Sequence, residues 1–523
     1  MVDLDPDSVL SIAGPRTLLD VLAGGAAQHP DRELLVFDDV DGGVVAFTWA
    51  EVFAEAHAMA RHLRGCGLAR GDRLHLHMAN RPEFLFAWFA CAAIGATIVP
   101  TNTQSSAHEI AFAVEHSGAR LSLADAAGEA CVVSAAAMLE RPHDVHILGP
   151  LLEGPAVDGA LPKEDVTADM DLGLLYTSGT TSRPKAVRIT HANYVFAGEV
   201  VARNARIGPD DRVLTVLPLF HANAQYYTVM SSLVARATIV LVSRFSASRL
   251  LDQIVAHDVT VASLFAAPIR MILAQQPTPA WRRHRLRVVL FAQNITEAES
   301  EQWDRLIGAP LVQLYGMTET IGPPVINPLD GERRPNVMGR VALGYVCRVV
   351  REDGATAAVG EMGQLCVQGV PGQSLMRGYL DDPAATRAAL QDGWLLTGDI
   401  VRVEPGGFLT FVDRRKDMIK RGGENIAASE VEAVLRAHGG VVDAAVFGVP
   451  DPIRDERVIA AVVLAPDQTV EAQELVRWCA DRLAKFRVPS GVMILDELPR
   501  TPVGKVRKHV LAKEFLAGEQ ELA

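Results

Sequence analysis

With 523 residues the chain is several times the size of an ordinary domain, so at least two domains and a large buried core are expected. Its 50 basic against 63 acidic side chains give a formal charge of -13, which disfavours nucleic acid and anionic membrane surfaces as partners and points to small-molecule chemistry. The six cysteines, Cys66, Cys91, Cys131, Cys347, Cys366 and Cys479, lack CxxC spacing, so the spacing suggests neither a zinc site nor a disulfide framework.

The first residues, MVDLDPDSVL, carry neither the basic start nor the long apolar stretch of a secretory signal. From Thr48 the segment TWAEVFAEAHAMARHLRGCG has helical periodicity, and the short runs RLHLHM after Asp72 and TIVP after Ala96 read as strands. The most apolar run, residues 84–100, contains Gly95 and is barely long enough to cross a bilayer, so it predicts a buried helix followed by a strand, with no membrane span. The rhythm returns in TIVLVS after Ala237, a helix SRLLDQIVAHD from Ser248, TVASLF after Val259 and RVVLF after Leu286. Such alternation implies a parallel or mixed sheet covered by helices, and a cytoplasmic enzyme is expected.

Residues 335–412 change to short β-rich runs with many glycines, such as MGQLCVQGV and GGFLTFV, predicting a small β subdomain or barrel. It closes at Asp413-Arg-Arg-Lys-Asp. Beyond lie a helix near Ser429, strands from Asp443 and Arg457, a helix from Glu471 and a closing strand from Gly491. The expected fold class is therefore α/β: a large N-terminal domain of packed sheets and helices with a β subdomain (residues 1–413), plus a small α+β C-terminal domain (residues 414–523).

Chemistry concentrates in a few segments. Tyr176-Thr-Ser-Gly-Thr-Thr-Ser-Arg-Pro-Lys185 follows an apolar strand; its hydroxyls and backbone N–H groups suit phosphate oxygens, with a lysine as point charge. It lacks the Gly-Lys-Ser/Thr ending of a Walker loop, and by composition alone it reads equally as a Ser/Thr linker. In Tyr315-Gly-Met-Thr-Glu319 a ring offers a stacking surface while Thr318 and Glu319 supply oxygens for phosphate and Mg²⁺; an ordinary strand-to-helix turn is the alternative. Asp399, in Thr-Gly-Asp, is either a turn aspartate or an acceptor for two hydroxyl protons.

Together with Leu217-PLFHANAQ, Val312-QLYGMTET, Leu396-TGD, Asp413-RRKDMIKRGGENI and Leu498-PRTPVGKVRK, taken in that order, these segments resemble the adenylate-forming superfamily of acyl-CoA synthetases, peptide-synthetase adenylation domains and firefly-type luciferases. The similarity runs from Pro30 to Lys508. It implies an ATP-dependent acid:CoA ligase that uses Mg²⁺, forms acyl-AMP and pyrophosphate, and then forms acyl-CoA and AMP. It also implies that the C-terminal domain is mobile.

By this resemblance Thr177, Ser178, Gly179, Thr180, Thr181 and Lys185 cradle phosphate and Tyr315 and Gly316 meet the base, while Gln293 and Asn294 stand where they either bond the base or reshape the acid pocket. Asp399 with Arg414 holds the ribose, Thr318 and Glu319 serve phosphate and Mg²⁺, and Lys505 catalyses adenylation. The reason for such a lysine is electrostatic: a carboxylate attacking the α-phosphate sets two anions face to face, and positive charge between them stabilises the transition state. Lys416 matches the hinge, Gly422 and Gly423 the loop lining the CoA tunnel, and His221 a residue beside the acid pocket.

Several positions depart from the family pattern. Ser182 and Ala186 stand where glycine is usual, and Phe291-Ala-Gln-Asn-Ile replaces a Gly-Ala-Pro run. Glu-Asn-Ile-Ala-Ala-Ser-Glu after Gly423 lacks a common proline. No aspartate follows Phe220, which argues against an α-amino acid. Small residues at Ala222, Ala224, Ala267, Ala292 and Gly316, with Asn223 and Met317 beside them, either leave room for a bulky, mainly hydrophobic acid or serve close packing. Around Tyr315 the chain is similar to ligases of the carnitine and crotonobetaine group. The alternatives are an adenylating enzyme that passes acyl-AMP to a separate thioesterifying enzyme or a carrier protein, a luciferase-like oxygenase, and a non-catalytic nucleotide-binding protein. Oligomeric state is left open, a homodimer among the options.

Overall fold

The computed structural model describes residues 12–149, 165–177, 184–414, 418–421, 424–451, 455–466, 468–483, 485–500, 504 and 506–522. They fall into two compact units, one drawn from residues 1–347, 366–396 and 407–409, the other from 348–365, 397–406 and 410–523.

Local chemistry starts the helices where the periodicity places them. Thr48 accepts a hydrogen bond from the Glu51 amide, and the Glu51 carboxylate accepts from the Thr48 amide, so this reciprocal cap opens the helix Trp49–Gly65. Its buried Trp49, Val52, Ala56, Met59, Ala60 and Leu63 recur three and four residues apart and face the core. The apolar run forms the helix Pro82–Ile94, buried on nearly every side, which ends at Gly95 with φ +79° and leads into the fully buried strand Thr97–Pro100. The helix expected from Ser248 is shorter, Leu250–Ala256.

The first unit holds two sheets. One has nine strands in the order Arg340–Val341, Gly322–Ile326, Leu311–Met317, Val288–Ala292, Val261–Phe265, Arg212–Thr215, Thr238–Val242, Glu33–Asp39 and Gly43–Thr48. Its six central strands pair in parallel, while the outer pairs are antiparallel. The other has seven strands, Gly378–Tyr379, Lys185–Thr190, Asp171–Thr177, Thr97–Pro100, Arg73–His77, Leu121–Asp125 and Asp144–Leu148. Leu74 and Leu76 of one sheet, Ile239 and Leu241 of the other, and Trp88 and Tyr194 from helices join a single core.

Strands Val346–Val350, Met362–Gln368, Trp394–Glu404 and Phe408–Arg414 supply the β-rich texture expected there. In the second unit Val441–Asp451 and Asp455–Leu464 pair antiparallel, and Gly491–Leu495 adds in parallel. Ala444, Val446, Val458, Ala460 and Val462 pack with the helices Ala428–Arg436 and Ala472–Ala480. The alternate residues Ala445, Phe447, Val449, Ile459 and Ala461 pack with Leu511 and Phe515 of the helix Lys508–Leu522. Both faces are covered, which is why these strands read as continuous apolar runs. The strand from Gly491 is thus not the closing element: the helix Lys508–Leu522 follows it, unanticipated because its few apolar positions are spread among charged ones.

Candidate active site

Strands Leu311–Met317, Val288–Ala292, Val261–Phe265 and Arg212–Thr215 lie side by side and run parallel, so their carboxyl ends share one edge. The predicted base and acid residues follow those ends: His221, Ala222 and Asn223 after the last strand, Ala267 after the third, Ala292 with Gln293 and Asn294 on the second, Tyr315 to Glu319 on the first. Open α/β sheets bind ligands at such an edge.

The predicted phosphate loop is the connection of an antiparallel hairpin in which Thr177 stands opposite Lys185 and its hydroxyl donates to the Lys185 carbonyl at 3.4 Å. The loop is thus anchored at both ends, while Ser178, Gly179, Thr180 and Thr181 lie outside the described residues. On the far side of Lys185–Thr190 the short strand Gly378–Tyr379 pairs antiparallel, Tyr379 opposite Val187. Lys185 Nζ stands 5.0 Å from the centre of the Tyr379 ring, and the Tyr379 hydroxyl donates to Glu319 Oε1 at 3.0 Å. The Met376 amide donates to the Glu319 carbonyl at 3.0 Å, and Glu319 is only 5% exposed. Burial first, then the facing carboxylate, push the Tyr379 hydroxyl well above the ordinary tyrosine range, so it stays a proton donor at any working pH.

The turn carrying Thr318 and Glu319 is held from several sides. Tyr226 donates to the Thr318 carbonyl at 3.3 Å, and Tyr345 donates toward the carbonyls of Thr320 and Ile321 at 3.0 and 2.8 Å. Thr320 Oγ1 accepts from the Met317 amide at 3.0 Å. Fully buried Ile321 sits at φ +53°, a left-handed conformation that a β-branched residue rarely adopts. Strain of this kind persists only where neighbours enforce it, and it concentrates at functional sites.

At the predicted acid-pocket segment the His221 amide donates to the Pro218 carbonyl at 3.0 Å, and the His221 ring packs 4.4 Å from the Phe220 ring. The chain then winds as a π-helix, Asn223–Met230, a wide turn found mostly at functional sites. Its polar side chains fasten it: Ser263 donates to Asn223 Oδ1 at 2.9 Å, Thr215 donates to Thr228 at 2.7 Å, and Tyr194 donates to Gln225 Oε1 at 2.6 Å. Ala224 is fully buried in the core, and a Cβ on Gly316 would fall 2.5 Å from the Tyr227 hydroxyl, so both serve close packing. Ala222 and Ala292 are half-buried and Ala267 is exposed. The Tyr315 hydroxyl lies 3.9 Å from the Met317 sulfur.

Gln293 is exposed and held at φ +75°, a left-handed conformation natural to glycine. Asn294 accepts from Gln313 Nε2 at 2.7 Å through its side chain and from Arg270 at 2.9 Å through its carbonyl. A cavity of about 330 Å³ opens beside them, lined by Phe291, Ile295, Gln313 and Asn327; none of the predicted acid-pocket residues lines it.

Asp399 and Arg414 belong to the second unit. Asp399 is 2% exposed; its amide donates to Thr397 Oγ1 at 3.1 Å, and Thr397 donates to the Leu365 carbonyl at 2.7 Å. Arg414 ends the strand Phe408–Arg414. Next to it, Asp413 Oδ2 accepts from the Ser429 amide at 3.1 Å. Lys505, Lys416, Gly422 and Gly423 lie outside the described residues. Sequence reading missed Tyr379 and the π-helix: Arg377-Gly-Tyr379 falls between the quoted motifs, and only an aromatic after Arg-Gly marks it.

The chain matches the AMP-binding enzyme family over residues 22–380 and the AMP-binding enzyme C-terminal domain over residues 430–505. Crotonobetaine/carnitine–CoA ligase of Salmonella typhimurium (strain LT2) is 35% identical over 516 residues, covering 95% of this chain and 99% of that protein. Among solved structures, ATP-bound MatB from Rhodopseudomonas palustris matches with a TM-score of 0.84 at 28% identity, covering 95% of this chain and 99% of that one. O-succinylbenzoate coenzyme A synthetase (MenE) from Bacillus subtilis, in complex with ATP and magnesium ion, matches at 0.81 and 31% identity, covering 94% and 98%.

Proposed function

The chain belongs to the AMP-binding enzyme family and is an ATP-dependent acid–thiol ligase of the acyl-CoA synthetase type, and we propose that the residues described above carry its two half-reactions. ATP, Mg²⁺ and CoA take part. First the acid's carboxylate oxygen bonds to the α-phosphorus and pyrophosphate leaves; then the CoA sulfur bonds to the acyl carbon and AMP leaves.

The observation that carries the assignment of residues is the meeting of Lys185 and Glu319 on two sides of Tyr379, joining the phosphate hairpin to the Tyr-Gly-Met-Thr-Glu strand end. Lys185 and the hydroxyls of residues 177–181 receive the phosphates. The buried Glu319 carboxylate, oriented by Tyr379, is a hard oxygen donor of the kind Mg²⁺ takes alongside phosphate oxygens. The ion, when bound, offsets phosphate charge. Tyr315, Gly316, Gln293 and Asn294 receive the base, Thr318 a phosphate oxygen, and Asp399 with Arg414 the ribose. Lys505 stands between carboxylate and α-phosphate, Lys416 is the hinge between residues 1–413 and 414–523, and Gly422 and Gly423 line the CoA path.

His221, Ala222, Asn223, Ala267, Ala292 and Met317 bound the acid, which we take to be bulky, mainly apolar and without an α-ammonium group, because residues 216–224 contain no carboxylate. Among the described residues no helix is long and apolar enough to cross a membrane; a cytoplasmic location is part of the proposal.

The test is incubation with ATP, Mg²⁺ and a panel of fatty, aromatic, polycyclic, dicarboxylic and trimethylammonium acids, following AMP, pyrophosphate and acyl-CoA by mass spectrometry with and without CoA. Acyl-CoA from a bulky apolar acid is the expected product. Turnover confined to small polar acids refutes the substrate class, and acyl-AMP that never becomes a CoA ester points to a carrier protein or a separate thioesterifying enzyme as acceptor.

A further inference from the structure

Away from the adenylation edge, three side chains have the donor set and spacing of a metal centre. His62 and Cys66 are four residues apart where the helix Trp49–Gly65 ends, so they share a face. His146 comes from Asp144–Leu148, the last strand in the order of the seven-stranded sheet. Cys66 Sγ lies 3.8 Å from His62 Nε2 and 3.7 Å from His146 Nδ1, and all three ligand atoms fall within 4.8 Å of one another. In a tetrahedral site with ordinary zinc–sulfur and zinc–nitrogen bonds the sulfur-to-nitrogen separation is about 3.6 Å, close to both of these distances.

The sulfur stands almost equally far from both ring nitrogens, the arrangement that a cation shared by the three ligands occupies. All three residues are half-buried, shielded but open to entry of an ion and a fourth ligand.

We propose that His62, Cys66 and His146 bind one divalent ion of the zinc class, with water in the fourth position, tying the end of the helix to the outer strand of the sheet. Two imidazoles and a thiolate select a borderline-soft ion and discriminate against Mg²⁺, so this site is chemically separate from the one that serves ATP.

The test uses the full chain stripped of metal and titrated with Co²⁺ in excess Mg²⁺. One equivalent per chain of a near-ultraviolet thiolate-to-cobalt charge-transfer band is expected, bleached by Zn²⁺ and absent from Cys66→Ser and His146→Gln proteins that still make acyl-CoA. Independently of any variant, Zn²⁺ at ten times its dissociation constant should slow alkylation of Cys66 about tenfold in the wild-type chain, read by peptide mass mapping. No thiolate band, a band that survives in Cys66→Ser, or unchanged alkylation of Cys66 overturns the proposal.

Discussion

The hydroxyl of Tyr379 donates to Glu319 Oε1 at 3.0 Å while the ring of the same residue faces the Lys185 ammonium at 5.0 Å. Two substitutions separate these roles. Tyr379→Phe keeps the ring and removes the hydrogen bond to a charged group, a loss of about 1.5–3 kcal/mol, so pyrophosphate release should slow roughly ten- to hundredfold, with an increased Mg²⁺ requirement. Tyr379→Leu should cost about 0.5–1 kcal/mol more through the lost cation–π contact. Equal rates for wild type and Tyr379→Phe across a Mg²⁺ titration would remove Tyr379 from the mechanism.

Glu319→Gln and Lys505→Ala should each slow adenylation by about a hundredfold or more, the usual consequence of losing one charge-stabilising group in a phosphoryl-transfer site. Supplying synthetic acyl-AMP with CoA bypasses the step in which both act. Lys505→Ala should then form acyl-CoA at close to the wild-type rate, because its charge is needed only while pyrophosphate leaves.

Gln293 carries opposing effects. Its left-handed backbone costs a residue with a Cβ about 1–2 kcal/mol, and glycine there gives back about 0.5–1 kcal/mol through the more flexible unfolded chain. The side chain is exposed and has little burial to lose. Gln293→Gly should therefore leave stability equal or raise it by up to about 1 kcal/mol in a urea titration, while raising KM for ATP. A fall in stability shows that the side chain contributes packing of its own.

Acid should weaken the fold through two interior histidines. His75, fully enclosed and bonded to Ser122 and Thr101, is pushed down to about 3 by burial first and by His77 and His143 next; His191 is pushed down to about 4 by burial. Both stay neutral in the folded chain while their unfolded counterparts, near 6.5, take up protons. Stability is thus fully present above about pH 6.5 and falls as pH drops toward 4, by about 1.4 kcal/mol per pH unit for each group. In urea titrations at pH 7 and pH 5, His191→Asn should lose about 2 kcal/mol less than wild type between the two.

Local signals were readable because they are local. The three- and four-residue recurrence of Val52, Ala56 and Met59 and the breaker Gly95 each act within a few residues, and their elements stand where the sequence places them. Tyr379 owes its position to a two-residue pairing with a strand from another part of the chain, and no local pattern encodes that. His62, Cys66 and His146 meet for the same reason, across a helix end and a sheet edge. The small residues predicted to bound the acid were ambiguous for want of their neighbours: the Tyr227 hydroxyl and the Gly322 carbonyl show that Gly316 is small to make room for protein.

The wide helical turn Asn223–Met230 also bears on how the chain tolerates changes of length. Each π-turn holds one residue more than an α-turn, so the surplus is stored in one stretch and fastened by Ser263, Thr215 and Tyr194. Deleting a single residue from an α-helix rotates everything beyond it by about a quarter turn and breaks its packing. Here a deletion should be absorbed by tightening to ordinary pitch, which would re-aim Asn223 and leave the helix Ser231–Ala235 in place, so a chain lacking one residue of this stretch should still unfold cooperatively in urea. The chain thus has, in this one stretch, a place where a change of length shifts the direction of Asn223 without exchanging any side chain.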